Sequence, residues 1–412
     1  MIIQKQGLSR RMLLGAAAGG AAFGTLPGLI RPAAAADEFK IGLFIALSGP
    51  ASLFGPTQKA SAELATDEIN KAGGILGRQI KLIPTDAGGP PAESTKSAVR
   101  LMLEEKVDML VGSHDSATRE ALVATIKGKV PYIYTPVYEG GECAFNTYVI
   151  ADTPEQQIRP SVAFMMKDRG AKSVYLIGDD YVWPRKCNEQ AKKYIADNGG
   201  KVVAEEYVPF GAPNKFEEIV TRIKSAKPDM VLITLVVTRI KSAKPDMVLI
   251  TLVGADNVNF NRTFAGFGLD KDIARLSLLL EENTLHGIGP DASNNLFSSM
   301  SYYANAPGEA NKKFKAAYFA KFGDKAPQLG LIGADCYGGI YCAHALANKA
   351  GGTDAKKCMA ASEGLTFPTA AGTVTMRGRH VDKTMYLATC KGTEFDIIKT
   401  FADVKSGDEC KA

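Results

Sequence analysis

From Phe39 onward, short apolar runs alternate with longer stretches in which apolar residues recur every third or fourth position. KIGLFIAL (40–47) predicts a buried strand, 57–72 a helix and QIKLIPTD (79–86) a second strand. A helix near 92–105, the strand VDMLVG (107–112), a helix near 118–129 and the strand VPYIYT (130–135) continue the alternation. Such runs, each followed by an amphipathic stretch, indicate a parallel sheet with helices on both faces. After TYVIAD (147–152) the cycle restarts with helix 154–168, SVYLIG (173–178), helix 184–197, KVVAEEYVPF (201–210) and helix 215–226. Two cycles imply an α/β protein of two doubly wound parallel-sheet lobes. VTM, MYLAT and EFDIIKTF, separated by RGRHVDK and CKGT, read as a small antiparallel addition. Ligands of such sheets sit beyond the carboxyl ends of the strands, so function is sought in the loops that follow them.

The alternation is interrupted once. Val220–Val236 reads VTRIKSAKPDMVLITLV, and Val237–Val253 repeats it without a change. Solenoid repeats are numerous and diverged, so a single perfect pair is a tandem duplication or an assembly error rather than an architecture. Pro228 and Pro245 prevent one helix from running through both copies. The first helix copy is expected to continue from Phe216-Glu217-Glu218-Ile219. The second strand copy, which feeds Gly254-Ala255-Asp256, is expected to be the sheet strand, with the residues between bulging outward or forming an extra edge strand.

The net charge of +5 hints at a polyanion partner until its distribution is considered. Four bases, Lys5, Arg10, Arg11 and Arg31, lie in 1–36, which has no acid, so the rest carries 45 bases against 44 acids and no nucleic-acid partner is indicated. Residues 1–36 have the parts of an export signal: a basic start, an apolar stretch from Met12 to Leu26 and Ala34-Ala35-Ala36 before Asp37. The paired Arg10-Arg11 before a mildly apolar stretch resembles a twin-arginine signal, with cleavage after Ala36 and the translocase as a transient partner. The mature chain is then expected in the periplasm, where disulfides persist. Seven cysteines leave at least one unpaired. Cys390 and Cys410 are the expected pair, because a strand-turn-strand between them could return the C-terminus to the first strand. No cysteine or histidine spacing suits a metal, and no cofactor is expected.

No GxGxxG follows the first strand, and neither a Walker A motif nor GxSxG occurs, so nothing marks an enzyme. The adjacent acids Asp179-Asp180 and Glu281-Glu282 read as solvated turn carboxylates. Polar and aromatic residues do gather at strand ends. Ser48 follows strand one, Ser113, His114, Asp115 and Ser116 follow strand three, and Tyr134 and Thr135 close strand four. Asp180, Tyr181 and Trp183 follow VYLIG, Asp256 follows the duplicated strand, and Glu281 follows LSLLL. Hydroxyls, helix-opening N–H groups and aromatic walls suit a small polar solute enclosed in a cleft. Taken singly, each Ser or Asp is equally a helix cap.

The start FKIGLFIALSGPASLFG, the run ATDEINKAGGILGRQIKLI, VGSHDSATREAL and TPEQQIRP resemble the type I periplasmic solute-binding proteins of ABC transporters, within the branched-chain amino acid, amide and urea group. YTPVYEGGEC and GDDYVWPRKCNE are similar to its amide and urea branch. The resemblance implies a periplasmic binding-protein fold of type I, with two lobes, 37–152 plus 303–365 and 153–302 plus 366–412, joined by three crossings near 152, 303 and 366. It further implies a hinge, a monomer and a membrane permease as partner. Ser116, Tyr134 and Thr135 on one lobe and Tyr181 on the other should face the ligand, with Phe54 near the entrance. The amide binders carry Tyr where this chain has His114, and Asp115, Asp256 or Glu281 could instead meet the ammonium of an amino acid.

The leading expectation is therefore a non-enzymatic binding component for a small amide, a urea-like solute or an amino acid. A ligand-sensing regulator and an exported oxidoreductase are the readings from other classes. The duplication itself yields a test: deleting 237–253 should raise the melting temperature and preserve ligand binding, and a large drop in either would make both copies integral.

Overall fold

The computed structural model describes residues 37–211, 228–407 and Cys410, with 228–235 described by their backbone. The first sheet contains β1 (Phe39–Ile45), β2 (Ile80–Asp86), β3 (Met109–Gly112), β4 (Tyr132–Tyr134) and β5 (Thr147–Val149) in the order β2-β1-β3-β4-β5, all parallel. Helices α1 (Gly55–Lys71), α2 (Pro91–Leu103) and α3 (Ser116–Ile126) connect them. With helices on both faces, β1 is buried on both sides, which is why FKIGLFI is a nearly unbroken apolar run. A Cβ on Gly42 would lie 2.6 Å from a methyl of Leu110 and 2.9 Å from one of Leu101, so a side chain there would make both leucines shift.

The second sheet has seven strands in the order β15-β14-β10-β9-β8-β6-β7. β6 (Ser173–Asp179), β7 (Lys201–Val208), β8 (Met247–Thr251), β9 (Ala274–Ser277) and β10 (Leu296–Met300) are parallel. β14 (Lys383–Lys391) and β15 (Glu394–Val404) close that edge as an antiparallel hairpin, as the C-terminal pattern predicts. Its helices are α4 (Pro154–Lys167), α5 (Val182–Asp197), α6 (Pro228–Ala243), α7 (Gly254–Gly266) and α8 (Glu282–Ile288). α4 starts on a capping box in which Thr153 and Gln156 satisfy each other's exposed backbone N–H groups. The next residue, Gln157, donates to the carbonyls of Leu278 and Ser299, tying the restart of the chain to the ends of β9 and β10.

The chain then returns. α9 (Glu309–Phe322) and α10 (Leu331–Ala350) pack on α1, followed by α11 (Ala355–Ser362) and a three-stranded sheet of β11 (Thr366–Thr369), β12 (Gly372–Arg377) and β13 (His380–Val381). Residues 366–381, assigned to the second lobe by the sequence, thus pack on α10 and β5. The third passage between the sheets runs through Asp382.

The two copies of the duplicated segment take different forms. The second supplies β8, between β6 and β9, as expected. The first copy's strand sequence is helical in α6, not a bulge or an edge strand. Pro228 sits at the helix start, where its missing N–H costs nothing, and Val236, Val237 and Ile240 share a buried face. The expected continuation from 216–219 lies outside the described residues, as do residues 1–36.

The disulfide is Cys143–Cys410, with Cα atoms 5.5 Å apart, and not Cys390–Cys410. Cys390 pairs with Phe395 beside the hairpin turn, whereas Lys383 pairs with Val404, so the tail leaves β15 at the opposite end. Seven residues at about 3.3 Å each put that end roughly 23 Å from Cys390, which remains a buried thiol.

One cluster joins all three passages between the sheets. Lys383 Nζ donates to Asp152 Oδ1 at 2.8 Å, Asp335 Oδ1 at 2.9 Å and Ser301 Oγ at 3.2 Å. Asp152 follows β5, Ser301 follows β10, Lys383 opens β14, and Asp335 is on α10. Burial, with the Asp152 carboxylate adding to it, pushes Asp335 up to about 7 despite Lys383. Burial likewise pushes Glu281 up to about 7 and Glu282 up to about 8. These three acids lie above their unfolded values, so their contribution to stability is complete below about pH 4 and is lost progressively as pH rises to about 7 to 8. Asp86, Asp115 and Asp246 shift downward, and their contribution is lost only below about pH 4. The urea midpoint should therefore be higher near pH 5.5 than near pH 8.5, with Glu282→Gln narrowing the gap; a higher midpoint at the alkaline pH would contradict it.

Candidate functional site

On the first sheet, the loops after β1 and β3 are fixed from beneath by Gln58 of α1. Its side chain accepts from Ala46 N at 3.2 Å and donates to Ser113 O at 3.0 Å. Asp86, ending β2, accepts from the N–H groups of Leu47, Ser48 and Gly88, which together with the Ser48 hydroxyl hold its carboxyl below the usual range although burial opposes them. The turn after β3 is strained, with Ser113 at φ +97°. It presents His114 and then Asp115, which caps α3 by accepting from Thr118 N at 2.7 Å. His114 Nε2 lies 2.5 Å from Asp115 Oδ2; burial works against the Asp115 charge, but His114 and Thr118 outweigh it and lower its pKa.

The turn after β4 meets α3 around a buried guanidinium. Arg119 Nη2 donates to Glu139 Oε1 at 2.7 Å and Nε to Glu142 Oε2 at 2.9 Å. Its carbon lies 5.2 Å from the ring centre of Tyr134 and 5.1 Å from that of Tyr138. Glu139 also accepts the Ser116 hydroxyl. Tyr138 meets His380 Nε2 at 2.7 Å, linking this turn to β13.

On the second sheet, Asp179 ends β6 and accepts from Val253 N at 2.8 Å, while Asp256 in the first turn of α7 accepts from Gly211 N at 3.1 Å. The two carboxyls are in contact; burial first, and then Asp256, pushes Asp179 well above the usual range. Tyr181 stacks on Phe210 at 5.0 Å and lies 6.4 Å from Trp183. Burial, then Asp179, Asp115, Tyr134 and Glu139, raise the Tyr181 hydroxyl, which places it among groups of both sheets.

The carboxyl ends of the two sheets are therefore apposed. Asn283 donates to Leu53 O at 3.1 Å and Gln190 to Glu139 O at 2.9 Å. A Cβ on Gly211 or Gly254 would meet Pro50 at 2.1 or 2.7 Å. Beside this seam lies a cavity of about 510 Å³ bordered by Arg119, Glu139, Glu142, Lys186 and Gln190.

Of the residues singled out from the sequence, Ser116 and Tyr134 gather about Arg119 and Glu139 with His114 beside Asp115 at the ends of the first sheet, while Tyr181 and Asp256 stand at the ends of the second. Phe54 is buried at the start of α1. Thr135 packs against Gly339 of α10. Glu281 reaches across to the first sheet's helices and accepts from Ile332 N at 2.9 Å at the start of α10. Asp179, Glu281 and Glu282, read as solvated turn acids, are buried. Sequence reasoning passed over Arg119 and Glu139. Arg119 stands three positions after Ser116 on one helix face, which was legible, but its partners are 20 and 23 residues away. Arg119 Nη1, His114 Nδ1, Thr135 Oγ1 and Trp183 Nε1 are buried without a hydrogen-bond partner. An unmade buried hydrogen bond costs about 1–3 kcal/mol, so each of these atoms stands at a cost that a polar partner would relieve.

A family profile described as periplasmic binding protein matches residues 38–238 and 234–394. The two stretches overlap inside the duplicated segment, as expected of a profile with room for one copy. A Leu/Ile/Val-binding protein homolog 6 of Brucella melitensis biotype 1 is 25% identical over 369 residues, covering 87% of this chain and 89% of that one. A solute-binding protein of an ABC transporter from Rhodopseudomonas palustris BisB5, solved with 3,4-dihydroxybenzoic acid, has a TM-score of 0.76 at 23% identity and covers 90% of this chain and 99% of its own. A leucine-binding protein from Thermotoga maritima MSB8 has a TM-score of 0.74 at 19% identity, covering 88% and 98%.

Replacing Arg119 by Met leaves Glu139 and Glu142 without their cation. It should cost about 3–5 kcal/mol in urea unfolding, and a loss below about 1 kcal/mol would show that the pair is not buried in solution.

Proposed function

The chain belongs to the periplasmic binding protein family and is an ABC transporter substrate-binding protein, and we propose that it captures a small amide, a urea-like solute or an amino acid between the apposed sheet ends. The observation that supports this reading is the apposition of the two sheets' strand ends, through Gln190 to Glu139 O and Asn283 to Leu53 O, together with the buried, unpartnered Arg119 Nη1, His114 Nδ1 and Trp183 Nε1 on α3, the turn before it and α5. Ser116, Tyr134 and Tyr181 complete the shell, with Phe54 at its entrance. Glu281 then acts as a tie between the two halves rather than as a ligand contact. Capture works by closure: the solute stabilises the state in which both halves contribute, in proportion to its differential affinity for that state, and a membrane permease receives it. The halves are 37–152 plus 303–381 on one side and 153–302 plus 383–407 on the other, hinged at the Lys383 cluster. Among the amide and amino-acid readings, the contact between the carboxyls of Asp179 and Asp256 favours an ammonium group, and hence an amino acid.

The family is periplasmic, and no described helix is long and apolar enough to cross a membrane. Export through the twin-arginine route with cleavage after Ala36 is part of the proposal and rests on Arg10-Arg11 and Ala34-Ala35-Ala36.

A thermal-shift screen of refolded, solute-free 37–412 against urea, acetamide, branched-chain and polar amino acids tests it. Solute at 100 times its dissociation constant adds about 2.7 kcal/mol. A selective rise with amino acids is expected from the acid pair, and a rise with urea or acetamide alone returns the assignment to the amide branch. A cooperative melt unmoved by all of them contradicts the reading.

A further inference from the structure

The same peptide stands in two conformations in this chain. PDMVLITLV is helical as 228–236, whereas its identical copy at 245–253 contains β8. Local propensity cannot tell the copies apart, so their places in the fold decide. Met247, Val248, Leu249, Ile250 and Thr251 are fully buried between β6 and β9, and Asp246 accepts from Lys172 N at 2.9 Å and Ser173 N at 2.8 Å. Upstream, Val237 and Ile240 supply the buried face at the end of α6. Every one of these side chains has a twin 17 residues earlier: Val220, Ile223, Asp229 and Met230–Thr234.

We propose that the second sheet can be completed by either copy, and that only the register in which Met247–Thr251 is the strand leaves the cleft intact. Exchange replaces each contact of the strand, and of the helix end from Val237 onward, by a chemically identical one, with Ile219 in the place of Val236. The surplus 17 residues move from before the helix to after the strand, and loop-closure entropy depends only weakly on where a loop of fixed length sits.

The copies become distinguishable at the first residue beyond the repeat. Gly254 follows the second copy at φ +55°, with Pro50 O 2.7 Å from where a Cβ would stand. Val237 follows the first copy, and a β-branched residue fits neither that backbone nor that space. Two positions on, Arg239 would stand where Asp256 now accepts from Gly211 N. That removes the support of Gly211, then of Phe210 stacked on Tyr181, and then of Tyr181 beside Trp183. The exchanged register thus keeps the sheet and dismantles one wall of the cleft. A solute that needs that wall would draw the population to the observed register.

Three variants of the full chain decide the matter without any ligand. Trp183 is the single tryptophan and is buried, so its emission reports on the wall. Ile233→Asp should fold and keep a blue emission. Ile250→Asp should also fold, with native far-ultraviolet circular dichroism and a cooperative melt, because the first copy takes the strand position, but with emission shifted to the red. The double variant has no intact copy left and should lose its cooperative melt. If Ile250→Asp fails to melt cooperatively, as the double variant does, the register is fixed and the proposal falls. If Ile250→Asp folds with unchanged Trp183 emission, the exchange does not reach the cleft and the functional half falls. Because no solute is added, neither result depends on the identity of the ligand.

Discussion

The buried ammonium of Lys383 is the constraint on which the arrangement of the two sheets rests. It touches Asp152, Ser301 and Asp335, and so meets each of the three places where the chain passes from one sheet to the other. A buried charge is tolerable only with its partners in place, so the three passages are held in one relation that none of them could enforce alone. Two carboxylates for one ammonium leave one acid in excess, which is why burial holds Asp335 near neutrality. A pivot of this kind is narrow: it fixes where the halves meet while leaving the far edges of the sheets to other contacts.

Among the described residues, single hydrogen bonds also cross the seam, and buried apolar side chains of both sheets belong to one cluster. Asn283 to Leu53, Gln190 to Glu139 and Ile332 to Glu281 cross the seam, each a single hydrogen bond, while Gly211 and Gly254 let Pro50 approach the backbone. Net contributions near 1 kcal/mol apiece make these hydrogen bonds ones that halves can break and remake. Arg119 does on one side what Lys383 does at the pivot, organising Ser116, Tyr134 and Tyr138 through charge and ring contacts before any solute arrives.

The sheets were legible in the sequence because a strand buried on both faces is an apolar run, and the restart after TYVIAD because the alternation of strand and helix begins again there. The candidate residues could be chosen by position, since the carboxyl ends of parallel strands lie on one side of a sheet. What failed was everything that depends on who meets whom across the chain. Cys410 pairs with Cys143, 267 residues away, because the hairpin carries the tail away from Cys390. Glu281 looked like a turn acid until α10, distant in sequence, supplied the N–H groups that hold it. The first copy of the repeat became a helix, although its residues are those of a strand, because the strand position was already filled.

The central claim is that the apposed strand ends close over a small solute. Small-angle X-ray scattering of 37–412, stripped of solute and then saturated with whichever amino acid or amide raises its melting temperature, tests this most directly. The account predicts a smaller radius of gyration on saturation, with the stripped form reopening about the Lys383 pivot. An identical scattering profile in both conditions, with binding independently verified, would contradict it.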